Sequence, residues 1–470
     1  MDTLNRDRIV LVVSCMASFI TPFLASSVNV ALPTINSDFA VTDQALLGWV
    51  VTGFLLSAAI FVVPFGRVAD AIGRKKIFIM GMLVLIISSF LCSISSSIYM
   101  LIASRAVEGL GSAMIFGTAI AMLTSVFPSS VRGRVLGINV AVVYLGASTG
   151  PFLGGLITQY AGWRFIYAGT MVYALLIAML TLAKIKDEWR CAETEKFDIA
   201  GSALYAVMLF SLMYGLSLIP DSTGMHLLAF AAIAMIVFFR WELRNKNPVL
   251  KVSVFRNNTV FAFSNLAALI NYSATFGIAF LLSLYLQFIK GYDPQTAGLI
   301  LVSQPIVQAV FSPFAGRLSD RVEPRIVAST GMSLCVIGLG LFAFLVPSTS
   351  LMQIIISLIF MGLGFALFSS PNTNAIMSSV DRCDYGVASG MVSTMRLLGQ
   401  MTSLGIATFI FTLIMGHSEI SSSQLGSLMT SIKISFAIFA VLCLVGVGFS
   451  LARGNLKRDL GISQIKHGVK

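Results

Sequence analysis

Fourteen long apolar runs follow one another along the chain, and they constrain its fold more than any other feature. The first six lie near residues 9–33, 45–65, 77–96, 99–126, 134–158 and 164–183. A pair near 199–219 and 226–242 follows, and then six more near 259–288, 295–315, 326–346, 351–377, 386–415 and 429–452. About 20 apolar residues of helix cross a hydrocarbon core roughly 30 Å thick, so each run is close to one membrane span. Stretches such as IFIMGMLVLIISSFLC are apolar on every face, whereas a transmembrane barrel strand alternates polar and apolar residues. With 57% hydrophobic and 11% charged residues and a mean hydropathy of +0.90, a water-soluble enzyme is excluded. The expected class is an all-α polytopic membrane protein.

Orientation follows from the loops. Of the 31 basic residues, Arg105, Arg396 and Lys433 fall inside spans, Arg164 and Lys290 fall in one set of alternate loops, and the rest fall in the other set or the termini. Basic residues accumulate on the cytoplasmic side, so both termini are expected there, with 220–225 and 347–350 outside. The net charge of +11 is then accounted for by topology and an anionic inner leaflet, with no nucleic-acid partner. The first run, preceded by Arg6 and Arg8, reads as a retained first helix.

His226, His417 and His467 lie in loops or at helix ends, which leaves the membrane without the usual ligands for zinc or a histidine-based triad. No metal, cofactor or enzymatic activity is expected. Cys15, Cys92, Cys335 and Cys443 fall within spans, while Cys191 and Cys383 fall in basic loops assigned to the cytoplasm. No disulfide is expected.

The chain also repeats itself. PFGRVAD at 64–70 matches PFAGRLSD at 313–320; GLG at 109–111 matches GLG at 362–364; and Gly133, Gly137 and Gly146 recur 253 residues later as Gly386, Gly390 and Gly399. Such a diagonal indicates two parallel six-helix halves, a plan that places a site near the bilayer midplane and works by alternating access. The expected divisions are a first bundle at 1–184, two inserted helices with basic linkers at 185–256, a second bundle at 257–452 and a tail at 453–470.

Polar residues in the spans are the candidates for chemistry. Arg105 and Glu108 lie three apart on one face of the fourth span, and a charge near the bilayer centre costs roughly 3 kcal/mol, so such a pair is either functional or a structural lock. Glu108 is the one acid deep in a span, and its repeat counterpart is Met361. A carboxylate that holds either a proton or a cation is the smallest device that couples two fluxes. In the fifth span Gly146, Gly150, Pro151, Gly154 and Gly155 suit close helix packing, or a pivot. The turn GRVADAIGRKK, with Gly66, Asp70, Gly73 and Arg74, suits a charge latch that favours one access state, or a solvated basic turn. Asn29, Tyr144, Asn271, Gln304, Gln308 and Asn372 are the cavity candidates, with Asn372 following Pro371 in an expected helix break. Arg396 is expected to meet helix-end carbonyls or a partner on the cytoplasmic side, and Lys433 to snorkel outward.

These motifs together resemble the major facilitator superfamily, in its fourteen-helix drug:proton antiporter branch, over nearly the whole chain. GRVADAIGRKK resembles the family's loop motif, LIASRAVEGLGSA its helix-four motif with Arg105 at the arginine implicated in proton exchange, and GASTGPFLGG the antiporter motif of helix five. FDIAG, WELRNKNPVL and SLYLQFIKGYDPQTAG also look like this branch. The sequence departs from the pattern at Leu24, where the family's first helix commonly carries an acid, and at Glu108, where glutamine is common. The resemblance implies a proton-coupled antiporter of the cytoplasmic membrane that exports amphipathic or cationic drugs and functions as a monomer, its partners being a small-molecule substrate, protons and the lipid bilayer. The alternatives are an exporter of a specific metabolite, lipid or siderophore, or a scaffold without transport.

The topology is open to a direct test. A cysteine introduced by Ser222→Cys should be labelled by an impermeant maleimide in intact cells; labelling confined to inverted vesicles would reverse the assignment.

Overall fold

In this computed structural model the described residues are 3–41, 44–191, 197–245, 247–250, 252–416 and 424–455. Most of the expected tail, His417, His467, and Lys196, Lys246 and Lys251 of the basic linkers lie outside them. Among the described residues there are fourteen helices long and apolar enough to span a membrane, and no strand. The first six are α1 (Arg6–Phe39), α2 (Leu46–Ile72), α3 (Arg74–Ser93), α4 (Ile98–Val126), α5 (Ser129–Tyr160) and α6 (Arg164–Lys184). An inserted pair follows, α7 (Ile199–Ser217) and α8 (Ser222–Arg244). The last six are α9 (Thr259–Ile289), α10 (Pro294–Arg321), α11 (Pro324–Ala343), α12 (Leu351–Ser378), α13 (Arg382–Met415) and α14 (Leu425–Ala452).

Short polar side chains start several of these helices by accepting an otherwise unpaired amide. Ser97 accepts from Met100, Asp198 from Gly201, Asn258 from Phe261, Asp293 from Thr296 and Ser350 from Gln353. Pro294 and Pro324 occupy first-turn positions, where the missing N–H costs nothing. Between caps, apolar runs satisfy their backbone internally, as a membrane requires.

α1 packs on α5, α2 on α4, and α3 on α4 and α6; in the second bundle α9 packs on α13 and α14, and α11 and α10 on α12. The inserted pair packs on itself and against α2 and α13. The bundles meet mainly where α2 faces α13 and α5 faces α10. The sequence repeat maps onto this seam. Gly66 of α2 lies against the Gly386 carbonyl of α13, and Gly316 of α10 lies against the Gly133 carbonyl of α5, so a Cβ at any of the four would meet backbone. Close approach of helices through small residues is the expected packing in lipid, where burial of apolar surface supplies little drive.

Two expectations are corrected, and one irregular span is found. α12 is a continuous helix with Pro371 inside it, because buried packing around 368–377 holds its backbone; there is no break at Asn372. α9 is the irregular span, turning at Phe276–Gly277 and finishing in a π-turn at Tyr285–Ile289, with the Gly277 amide donating to Ser403 Oγ at 2.8 Å. Cys191 and Cys383 are joined sulfur to sulfur, with Cα atoms 5.3 Å apart. The linker after α6 folds back against α2, where the Cys191 amide donates to the Asp70 carbonyl, and this carries it to the start of α13. A separation of 192 residues hid that proximity from any reading of the loops alone.

Candidate functional site

At the end of the molecule that gathers the arginine-rich loops, two carboxylates reach across the seam. Asp70, near the end of α2, accepts the amides of Gly386 at 2.9 Å and Val387 at 3.1 Å in the first turn of α13. Arg74 holds it in place, donating from Nε at 2.9 Å and Nη2 at 2.7 Å, and Arg74 also donates to the Arg382 carbonyl. Between Asp70 and Arg74 the chain turns at Gly73 with φ 135°, a conformation that a side chain strains. The repeat-related Asp320 of α10 accepts the amides of Gly133 at 2.7 Å and Arg134 at 2.9 Å in the opening turns of α5. A carboxylate on helix N-terminal amides combines charge-assisted hydrogen bonds with a favourable dipole. Arg132 adds donations to Ser378 Oγ and the Tyr385 hydroxyl, and Arg67 lies 3.5 Å from Asp384. Asp320 and Arg132 were absent from the motif reading; the repeat of GRVAD as GRLSD was the signal for the first.

Further from the basic end, the seam is closed by rings. Tyr144 of α5 meets Phe365 of α12 edge-on at 6.2 Å between centroids, and Phe365 meets Tyr272 of α9 at 5.8 Å. The Tyr272 hydroxyl bonds Ser369 Oγ at 3.3 Å. Beside them Arg396 of α13 lies over the Phe116 ring of α4 at 4.8 Å. Among the described residues it is seen to meet this ring, and not the helix-end carbonyls or the cytoplasmic-side partner expected from the sequence. Beyond this level the two helices turn to their own bundles: Gly146, Gly150 and Gly154 pack on Phe19, Ser26 and Ser27 of α1, and Gly399 packs on Leu269, Tyr272 and Ser273 of α9. Among the described residues no hydrogen bond, ion pair or ring contact joins the bundles past the aromatic floor. Among the described residues, the hydrogen bonds, ion pairs and ring contacts that cross the seam gather at the basic end and at this floor.

Arg105 and Glu108 lie elsewhere, sealed inside the first bundle with 0% exposure each. Arg105 Nη1 donates to Glu108 Oε2 at 2.5 Å and Nε to the Val50 carbonyl at 2.9 Å, with the guanidinium 4.3 Å over the Phe54 ring. Ser89 donates to Glu108 Oε1 at 2.9 Å. Leu24 is likewise buried in the first-bundle core.

The remaining candidates are scattered. Asn29 is exposed on α1, Gln304 is half-buried, and Gln308 is buried with its Nε2 unpartnered. Asn271 is buried, with neither amide atom partnered. Asn372 donates to the Ser264 carbonyl and accepts from Arg453 Nη1 at 2.8 Å. Burial pushes the Arg453 guanidinium down to about 9, so it keeps its charge at neutral pH and needs these acceptors, together with the Pro324 carbonyl. A cleft of about 230 Å³ between Asn257, Asn258, Ser379 and Asp381 opens at the basic rim, apart from the floor.

Comparison with known proteins agrees with this fold. A family model for the Major Facilitator Superfamily matches residues 14–263 and 264–464. The riboflavin transporter RibZ of Clostridioides difficile is 26% identical over 94% of this chain and 97% of its own. The multidrug resistance protein Stp of Mycobacterium tuberculosis is 30% identical over 86% of this chain and 75% of its own. The structure of the proton:xylose symporter XylE aligns with a TM-score of 0.65 at 13% identity, covering 97% of both chains, which is a likeness of fold.

The glycines of α5 separate by their neighbours. A Cβ at Gly150 would collide with Ser26 and come within 2.9 Å of the Phe23 carbonyl, whereas one at Gly155 would meet only Val30 at 3.7 Å. Gly150→Leu is expected to cost about 1–3 kcal/mol and lower the melting temperature of the purified protein, with Gly155→Leu near wild type. Equal melting temperatures for the two variants would contradict this packing.

Proposed function

The chain belongs to the major facilitator superfamily, and from that premise we propose that it is a proton-coupled antiporter exporting amphipathic compounds by alternating access. The supporting observation is the asymmetry of the seam, bolted by Asp70 and Asp320 at the basic end, with no polar or ring contact among the described residues beyond Tyr144 and Arg396. With the basic end cytoplasmic, that asymmetry favours an outward-facing member of a two-state cycle, in which export delivers substrate to the outside. The basic loops and the fourteen spans favour the cytoplasmic membrane. The multidrug resistance protein among the relatives favours a broad amphipathic range. The riboflavin transporter favours the second reading, a carrier of one defined metabolite.

Coupling is assigned to Arg105 and Glu108. Arg105 grips α2 through the Val50 carbonyl and Phe54, and the same helix carries Gly66 and Asp70 at its basic end. Protonation of Glu108 removes the charge that holds Arg105, and so changes the grip on α2. The pair then acts on the latch through one rigid helix, without touching substrate.

Glu108→Gln keeps the shape and removes the titration. In proteoliposomes, substrate flux driven by a pH gradient should fall about ten-fold or more, with the protein still monodisperse. Removal of one member of a buried pair can itself cost about 3–5 kcal/mol, so thermal stability is read alongside. Unchanged proton-driven flux would assign the pair to structure.

A further inference from the structure

The charged side chain beside the floor is a cation. Arg396 sits eleven residues into the helix that begins at Tyr385, at a depth of about 16 Å by helical rise. It is half-buried and rests on Phe116, and no carboxylate among the described residues pairs with it. The one acid deep in a span, Glu108, is sealed away and already neutralised by Arg105. The other acids that cross the seam, Asp70, Asp320 and Asp384, lie at the basic end and are engaged there. A charge at this depth costs roughly 3 kcal/mol unless it meets water or a counter-ion. The wall around it consists of flat rings from both bundles, Tyr144 and Phe116 from the first and Phe365 and Tyr272 from the second. A guanidinium with no carboxylate partner among the described residues, set beside aromatic rings, matches an acceptor-rich aromatic guest and repels a cation.

We infer that this floor binds planar aromatic anions, with Arg396 as the residue that selects their charge. The inference rests on the transport reading above and narrows it, replacing the cationic substrate class expected from the sequence. An anionic ring system lies against the ring floor beside Tyr144 and Phe116 while its carboxylate, phosphate or sulfonate meets the guanidinium, and release of the bolts at the basic end admits it from that side.

Full-length protein in proteoliposomes under a pH gradient is offered fluorescein, a planar aromatic anion, or ethidium, a planar aromatic cation. Wild type should move fluorescein in preference to ethidium. Arg396→Gln should lose about ten-fold or more of the fluorescein flux without a matching loss for ethidium, and Arg396→Lys should retain much of it. Wild-type transport of ethidium with exclusion of fluorescein overturns the inference and leaves the transport reading standing; that comparison needs no variant to fold. Fluorescein flux unchanged in Arg396→Gln also overturns it. Movement of neither probe overturns the transport reading together with the ligand class.

Discussion

The structure depends on a carboxylate from each half capping the helix amides of the other. Asp70 on α13 and Asp320 on α5 are the only two carboxylates among the described residues seen to accept backbone amides across the seam, and they sit at one end of it. Each charge-assisted bond contributes about 1.5–3 kcal/mol, enough to set the balance between access states that differ by a few kcal/mol. The glycine pairs Gly66 with Gly386 and Gly316 with Gly133 allow the bonds to form, because any side chain there would hold the helices apart. Two equivalent bolts, generated by an internal repeat, thus close the basic mouth, alongside the contacts of Arg132 and Arg67 and the Cys191–Cys383 link.

Much of this was legible in the chain. The fourteen runs gave the helices with boundary shifts of a few residues, and the repeat matches, Gly66 with Gly316 and Gly133 with Gly386, marked the glycines that carry the seam. Asp70 and Arg74 were legible as a latch because a loop with an acid four residues before an arginine already holds both partners. Asp320 was visible only as an echo of Asp70. What the latch grips, the amides of Gly386 and Val387, could not be read, since a backbone donor leaves no residue signature. The same holds for Cys191 and Cys383, whose partnership depends on a linker folding back. Pro371 misled because a proline inside a buried helix can be tolerated when neighbouring helices hold the backbone.

The placement of charge separates two tasks that the sequence reading had merged. Depth alone singled out Arg105 and Glu108 as costly, yet depth says nothing about which face of a helix meets the seam. Arg105 and Glu108 face inward on α4 and neutralise each other, so their energy goes into holding α2. Arg396 faces the floor without a counter-ion, so its energy is available to a guest. In this account proton binding and substrate binding occur in different places and communicate through the seam, which departs from a single carboxylate exchanging proton for cation.

The central claim is that the two carboxylate bolts hold the basic end shut. Spin labels at Ile72→Cys in α2 and Asp381→Cys before α13, in a chain with its native cysteines replaced, report the width of that mouth by pulsed electron–electron distance measurement. Wild type should give a short-distance population that the combined Asp70→Asn and Asp320→Asn substitutions shift largely to a longer one. An unchanged distance distribution in the double variant would contradict the account.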